Sequence, residues 1–251
     1  MRKFLALALS LVLLISGSAV LITGAPRSFE PQARAATGAI FVDADRRFEC
    51  SGTEIAHTKD GDGIFLTARH CVASVETNKI TRRMQLSFSD NMGGPYYDAV
   101  PIAISTSDDL ALLLVRNGAS IPEVKIKDER RLRGGDPIFN VSYPLGAGKL
   151  IFHGEYLAPR FPMFPGILAD YPMWQFAMPA NITWAHGSSG SGVFSSGQRA
   201  LIAVCVGTFS EGSFNVAIPA DRVLDFLADL SDNTVERFAL QNPEKEEVEV
   251  F

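Results

Sequence analysis

Short apolar runs punctuated by Gly, Pro, Asn and Asp fill the chain between Thr37 and Pro219. They are Ala39–Val42, Gly63–Ala68, Met84–Phe88, Val100–Ile104, Leu110–Val115, Ile138–Val141, Gly192–Phe194, Leu201–Val206 and Phe214–Ile218. Runs of this kind bounded by turn residues predict strands, and so many in succession predict an all-β sandwich or barrel. Only Ala220–Leu230 carries a helical period. There Val223, Leu224, Phe226, Leu227 and Leu230 share one face, and Pro219 and Asp221 suit a helix start. Asp128–Gly135 is charged and then Gly-rich, which predicts a linker between two halves. Residues 154–180, rich in Pro, Phe, Met and Tyr, read as a long, semi-rigid loop.

The N-terminus stands apart. Arg2 and Lys3 precede an apolar run of nineteen residues from Phe4 to Ile22. A basic flank before an apolar stretch is the pattern of an export signal, and this length also suffices to span a bilayer. Gly17-Ser18-Ala19 and Ala33-Arg34-Ala35 offer small-residue cleavage points, so a cleaved signal and a retained anchor both stand. In either case the positive flank stays cytoplasmic and the rest is expected outside, touching the membrane only through residues 4–22.

Composition narrows the picture further. With 47% hydrophobic and 20% charged residues among 251, the bulk of the chain cannot be intrinsically disordered. A formal net charge of −5 argues against a nucleic-acid partner, which would call for a basic face. Without residues 1–35 the balance becomes 19 basic against 27 acidic residues, and half of that excess lies in residues 232–251, expected to be a solvated acidic tail.

Four segments could carry chemistry. Leu66–Cys71 is a strand with His70 at its exit. Ser107–Leu113 places Asp108 and Asp109 just before an apolar strand. Gly187–Gly192 alternates glycine with serine, and Leu201–Gly207 leads through Phe214–Pro219 into the helix. Taken singly, each has an ordinary reading as a surface histidine, a turn aspartate or a flexible loop. In chain order, however, they present a base, an acid and a nucleophile. A serine hydroxyl needs an adjacent base, a neutral imidazole can take its proton, and a carboxylate can hold the imidazole in the right tautomer.

These segments resemble those of trypsin-like serine proteases of the chymotrypsin fold, in the bacterial branch that includes glutamyl endopeptidases and high-temperature-requirement proteases. Thr67-Ala68-Arg69-His70-Cys71 is similar to that family's Thr-Ala-Ala-His-Cys, and Asp109-Leu110-Ala111-Leu112-Leu113 to its Asp-Ile-Ala-Leu-Leu. Gly187-Ser188-Ser189-Gly190-Ser191 resembles its Gly-Asp/Asn-Ser-Gly-Gly/Ser, while Gly135-Asp136-Pro137, Tyr143–Gly146 and Ala217–Pro219 resemble parts of its second barrel and closing helix. The resemblance spans about residues 38–230. It implies two antiparallel β-barrels with a C-terminal helix. The expected division is 1–35 for the signal or anchor and its linker, 36–127 and 128–231 for the barrels, and 232–251 for the tail.

The implied roles are His70, Asp109 and Ser189 as the triad, with the N–H groups of Gly187 and Ser189 as the oxyanion hole. Asp108 is expected to be a solvated neighbour. Substrate would meet Thr183, Cys205 and Gly207, where a neutral pocket floor disfavours Arg or Lys and leaves small or apolar side chains. His186 could touch substrate but suits a surface role. The family also implies a Cys50–Cys71 disulfide, whose closure of a 21-residue span would be worth about 3 kcal/mol. Cys205 reads as a buried, inert thiol. No Cys-x-x-Cys pair occurs to favour a metal site, and no cofactor is implied.

The chain departs from trypsin in carrying Ser188 where an aspartate would pair with a new N-terminus, and Thr37-Gly38-Ala39-Ile40 does not match the activation sequence. That activation switch is therefore expected to be absent. Gly192 replaces a common proline. The expected function is exported peptide-bond hydrolysis of a protein or peptide substrate. An inactive binding module at the cell envelope and an esterase on the same fold are the alternatives.

Overall fold

Twelve strands close into two six-stranded antiparallel barrels in a computed structural model of the chain, which describes residues 28–42, 47–73, 80, 81, 83–158, 178–208 and 215–230. The first barrel comprises β1 (Thr37–Val42), β2 (Arg47–His57), β3 (Gly63–Thr67), β4 (Met84–Ser87), β5 (Tyr96–Ile104) and β6 (Ala111–Val115). It runs in the order β1-β2-β3-β6-β5-β4. The second comprises β7 (Pro137–Ser142), β8 (Leu150–Tyr156), β9 (Met178–Asn181), β10 (Gly192–Ser195), β11 (Ala200–Thr208) and β12 (Asn215–Pro219), in the order β10-β11-β12-β9-β8-β7. Closure leaves neither sheet an unpaired edge. This is the all-β double barrel that the sequence resemblance implies, followed by a helix over Ala220–Asp229.

The barrels share apolar packing. Leu66, Leu112 and Leu114 of the first belong to one buried cluster with Phe139, Val204 and Val216 of the second and Phe226 of the C-terminal helix. Residues 125–127 leave the first barrel by bridging to β11, where Leu201 N–H donates to the Lys125 carbonyl and Lys127 N–H to the Leu201 carbonyl. On the helix, Val223 and Phe226 are buried while Leu224 faces solvent, so the apolar face is narrower than the periodicity predicts.

Four elements lie where the apolar pattern predicts none. The strand around Cys50 runs eleven residues, because β1 on one side and β3 on the other pair with its polar positions. β8 and β9 occupy the two ends of the expected 154–180 loop, where Glu155 and Tyr156 pair with Asn181 and Ala180. Upstream of the barrels, α1 (Glu30–Ala36) is helical rather than linker. Residues 1–27 and 231–251, and with them the expected export segment and acidic tail, lie outside the described residues. Among the described residues no helix is long and apolar enough to cross a membrane.

α1 is docked by both barrels. Phe29, 3% exposed, presents its ring edge-on to Phe139 and Phe194 at centroid distances of 6.2 and 6.0 Å. The ammonium of Lys149 donates to the carbonyls of Arg34 and Phe88, each at 2.7 Å, and Arg34 pairs with Asp90 at 2.9 Å. Burial drives the Lys149 pKa down to about 8 despite the opposing charge of Asp90. Ala33-Arg34-Ala35 lies inside this helix, so a cut there would strip Phe29 from the fold.

Glu54, on β2, has no exposed surface. Burial raises its carboxyl pKa to about 8; the N–H of Ile64 acts against the rise and the charge of Glu123 adds to it. Between pH 4.5 and 8 the folded chain thus holds a proton that the unfolded chain has released. Stability should fall as pH rises through that window, by about 1.4 kcal/mol per pH unit from this group alone. Glu54→Gln should remove the slope. Urea unfolding of both proteins at pH 5 and pH 8 checks this, and equal pH dependence in the two would refute it.

Candidate active site

His70 sits in a short 3-10 turn, Arg69–Cys71, immediately after β3. The turn is tied to β2 by the Cys50–Cys71 disulfide, with the two Cα atoms 5.9 Å apart. Both sulfurs are thereby committed, and the cluster of Cys50, Cys71 and His70 offers no thiolate to a metal. Asp109 precedes β6 and grips His70 at two points. Its Oδ2 lies 2.7 Å from Nδ1 of the ring, and its Oδ1 accepts the His70 backbone N–H at 3.0 Å. Asp109 is 5% exposed. Burial of the imidazole lowers its pKa, but the hydrogen bond and charge of Asp109, with a contribution from Glu49, outweigh it and the net shift is upward.

The serine loop comes from the other barrel, between β9 and β10. Three serines stand in it and their environments differ. Ser188 is fully buried, and its hydroxyl accepts from the Ser142 hydroxyl at 3.1 Å and the Ala185 N–H at 3.3 Å. Ser191 is also fully buried, donating to the Ser188 carbonyl at 2.6 Å and accepting from the Asn140 amide at 2.8 Å. Ser189 alone of the three is partly exposed.

The loop is fixed from the first barrel. Ser51 N–H donates to the Ser189 carbonyl at 2.9 Å, the Ser51 hydroxyl to the Gly187 carbonyl at 2.7 Å, and Gly192 N–H to the Thr53 hydroxyl at 3.1 Å. From the second barrel, Gly190 N–H donates to the Cys205 carbonyl at 2.7 Å and Cys205 N–H to the Ser191 carbonyl at 2.9 Å. Gly190, at φ +81°, is pressed against the strand that ends at His70. A Cβ there would strike Thr67 Oγ1 and the Ser51 carbonyl and lie 2.8 Å from Ala68 N. Gly187, at φ +90°, faces the Tyr143 carbonyl, which its Cβ would approach to 2.8 Å. Only glycine suits these two positions. Among the described residues, the N–H groups of Gly187 and Ser189 donate to no protein acceptor, whereas those of Ser188, Gly190 and Ser191 are all used.

The remaining expected positions separate. Cys205 is a free thiol, 1% exposed, whose pKa burial raises, so its side chain lies inside the second barrel. Thr183 and His186 are exposed, and Leu145 N–H donates to the His186 carbonyl at 2.7 Å. The Gly207 carbonyl accepts from the indole N–H of Trp184 at 3.0 Å. Trp184 is 8% exposed and spans from the segment before the serine loop to the end of β11. Nothing in its sequence context distinguishes it from a core aromatic. Asp108 is not solvated. It is 1% exposed and held bidentately by Arg222, with Nε 3.2 Å from Oδ1 and Nη2 2.7 Å from Oδ2.

A histidine held by a buried carboxylate follows the strand against which Gly190 of the second barrel's serine loop packs, an arrangement of the trypsin-like kind. Residues 50–204 match the trypsin-like peptidase domain family, and the chain belongs to that family. A probable serine protease do-like from Buchnera aphidicola subsp. Acyrthosiphon pisum (strain APS) is 30% identical over 112 residues. That match covers 45% of this chain and about a fifth (21%) of the relative's length. Among solved structures, the HtrA-type protease AlgW with decapeptide superposes with a TM-score of 0.66 at 16% identity, covering 82% of this chain and 67% of that one. Deg5 gives 0.64 at 19% identity, covering 82% and 94%, and a serine endoprotease from Yersinia pestis gives 0.61 at 18%, covering 83% and 68%. At these identities the structural likeness speaks for the fold.

Proposed function

We propose that the chain is an exported serine endopeptidase that cleaves peptide bonds through an acyl-enzyme. The observation that carries this reading is the two-point grip of Asp109 on His70, which keeps the proton on Nδ1 and leaves the Nε2 lone pair for the nucleophile. Ser189 Oγ adds to the scissile carbonyl carbon while its proton passes to Nε2. The carbonyl oxygen becomes an anion that the N–H groups of Gly187 and Ser189 can receive, since neither is spent within the described protein. Collapse breaks the C–N bond, and the imidazolium returns the proton to the leaving amine. Water then repeats the sequence on the ester, giving the acid and free Ser189.

Trp184, packed in the core of the second barrel, ties the segment before the serine loop to the end of β11 through the bond from its indole N–H to the Gly207 carbonyl. The Cys50–Cys71 disulfide and the basic flank before Phe4 support a site of action outside the cytoplasm.

Reacting the purified full chain with a fluorophosphonate and mapping the adduct by mass spectrometry tests the proposal. The adduct is expected on Ser189, with hydrolysis of unfolded casein in the same preparation. Folded, disulfide-intact protein that takes up no probe would overturn it.

A further inference from the structure

The ion pair between Asp108 and Arg222 lies outside the triad, yet it touches the residue next to Asp109. The helix that bears Arg222, α2 (Ala220–Asp229), follows β12 without a break. β12 pairs with β11 at Ala217 opposite Cys205, and the backbone of Cys205 is bonded to Gly190 and Ser191 on either side. A continuous path therefore leads from the serine loop through β11, β12 and α2 to Asp108. The next residue along it is Asp109, which holds His70.

The acid loop is itself a closed turn. Ser105 N–H donates to the Leu110 carbonyl at 3.0 Å, Leu110 N–H to the Asp108 carbonyl at 2.8 Å, and Asp108 N–H to the Ser105 hydroxyl at 3.0 Å. From the histidine side, Arg69 donates to the Ser105 carbonyl at 2.8 Å. A turn braced this way moves as a unit, so whatever fixes its tilt also fixes Asp109. On the α2 side a cleft of about 490 Å³ separates residues 104–108 from Phe226, Asp229 and Leu230. Arg222 lines this cleft, and its guanidinium bridges to Asp108 there. The fork is directional: two N–H groups meet two carboxylate oxygens, a geometry that fixes orientation as well as distance. Arg222 also neutralises Asp108, whose charge would otherwise stand beside that of Asp109.

We infer that Arg222 is a positioning residue for the triad: through its fork on Asp108, the C-terminal helix of the serine-bearing half sets the orientation of Asp109 against His70. This rests on the proposed serine peptidase reading.

The test compares wild type, Arg222→Gln, Arg222→Lys and the double variant Asp108→Asn/Arg222→Gln. The double variant leaves no unpaired buried charge and guards against simple unfolding. Each full chain is checked for near-ultraviolet circular dichroism, then for its rate of fluorophosphonate labelling and the far-downfield proton resonance of the His70–Asp109 hydrogen bond. In Arg222→Gln and the double variant the labelling rate should fall roughly 10- to 100-fold, the cost of a small misplacement of catalytic groups, and the resonance should broaden or move. Arg222→Lys, which keeps the charge without the fork, should fall between. A merely structural pair would lower the melting temperature and leave both readouts unmoved well below it. Wild-type labelling and an unshifted resonance in any folded glutamine variant overturn the inference. Failure of wild type itself to label overturns the underlying reading instead.

Discussion

Ser189→Ala should lower kcat for peptide hydrolysis by about 10⁶-fold, the loss expected when the nucleophile of a triad is deleted. The fold should survive, because Ser189 is the one serine of its loop with exposure to solvent, and alanine keeps the carbonyl that accepts from Ser51 N–H. The outcome discriminates within the loop. Ser188 and Ser191 are fully buried and spend their hydroxyls on Ser142, Ala185, Asn140 and the Ser188 carbonyl. Their alanine variants should lose stability more than chemistry. Burst kinetics with an activated ester and thermal melts of all three variants check this. A Ser189→Ala protein that keeps more than about a hundredth of wild-type turnover would remove Ser189 from its assigned role.

Asp109→Asn should cost about 10⁴-fold in kcat, and the geometry explains why so conservative a change is so damaging. Asp109 offers one oxygen to the ring N–H of His70 and the other to its backbone N–H. An amide has a single oxygen. If that oxygen keeps the backbone N–H, the amide N–H₂ faces Nδ1 and drives the ring proton to Nε2, which is the wrong tautomer for a base. If the amide turns over, two donors oppose one another at the backbone. The variant should also shift the acid limb of kcat/KM to lower pH. In the wild type, burial lowers the His70 pKa but the bond and charge of Asp109 raise it by more. Neutralising that carboxylate lets the pKa fall, so the imidazole stays neutral further into acid. A pH–rate profile of the two proteins measures both effects, and an unshifted limb would contradict the assignment.

The double barrel was legible, and the proposed triad could be named, because both are written in local sequence. Apolar runs between turn residues gave most strands, and Thr67–Cys71, Asp109–Leu113 and Gly187–Ser191 each carry their context within a few positions. What escaped is made by partners far apart in the chain. β2 is long because β1 and β3 pair with its polar residues, and nothing in Arg47–His57 shows that in isolation. Asp108 looked like a turn aspartate until Arg222, 114 positions away, removed it from water. Ser51 gives no sequence signal, yet it is the first barrel's hold on Gly187, 136 residues on. Phe29 and α1 were hidden by their place after an export-like segment, where a linker is the ordinary expectation.

The bonds from Ser51 and Thr53 to the serine loop bear on how the chain is made. Synthesis finishes β1–β6, with His70 and Asp109, before Gly187–Gly192 exists, and the loop completes its bonds only when it docks on β2 as well as on its own barrel. Neither a half-made chain nor one with its barrels apart holds the Gly187 and Ser189 carbonyls in place. On the proposed reading, hydrolytic competence is thus a late event of assembly, arriving only when the two barrels have met.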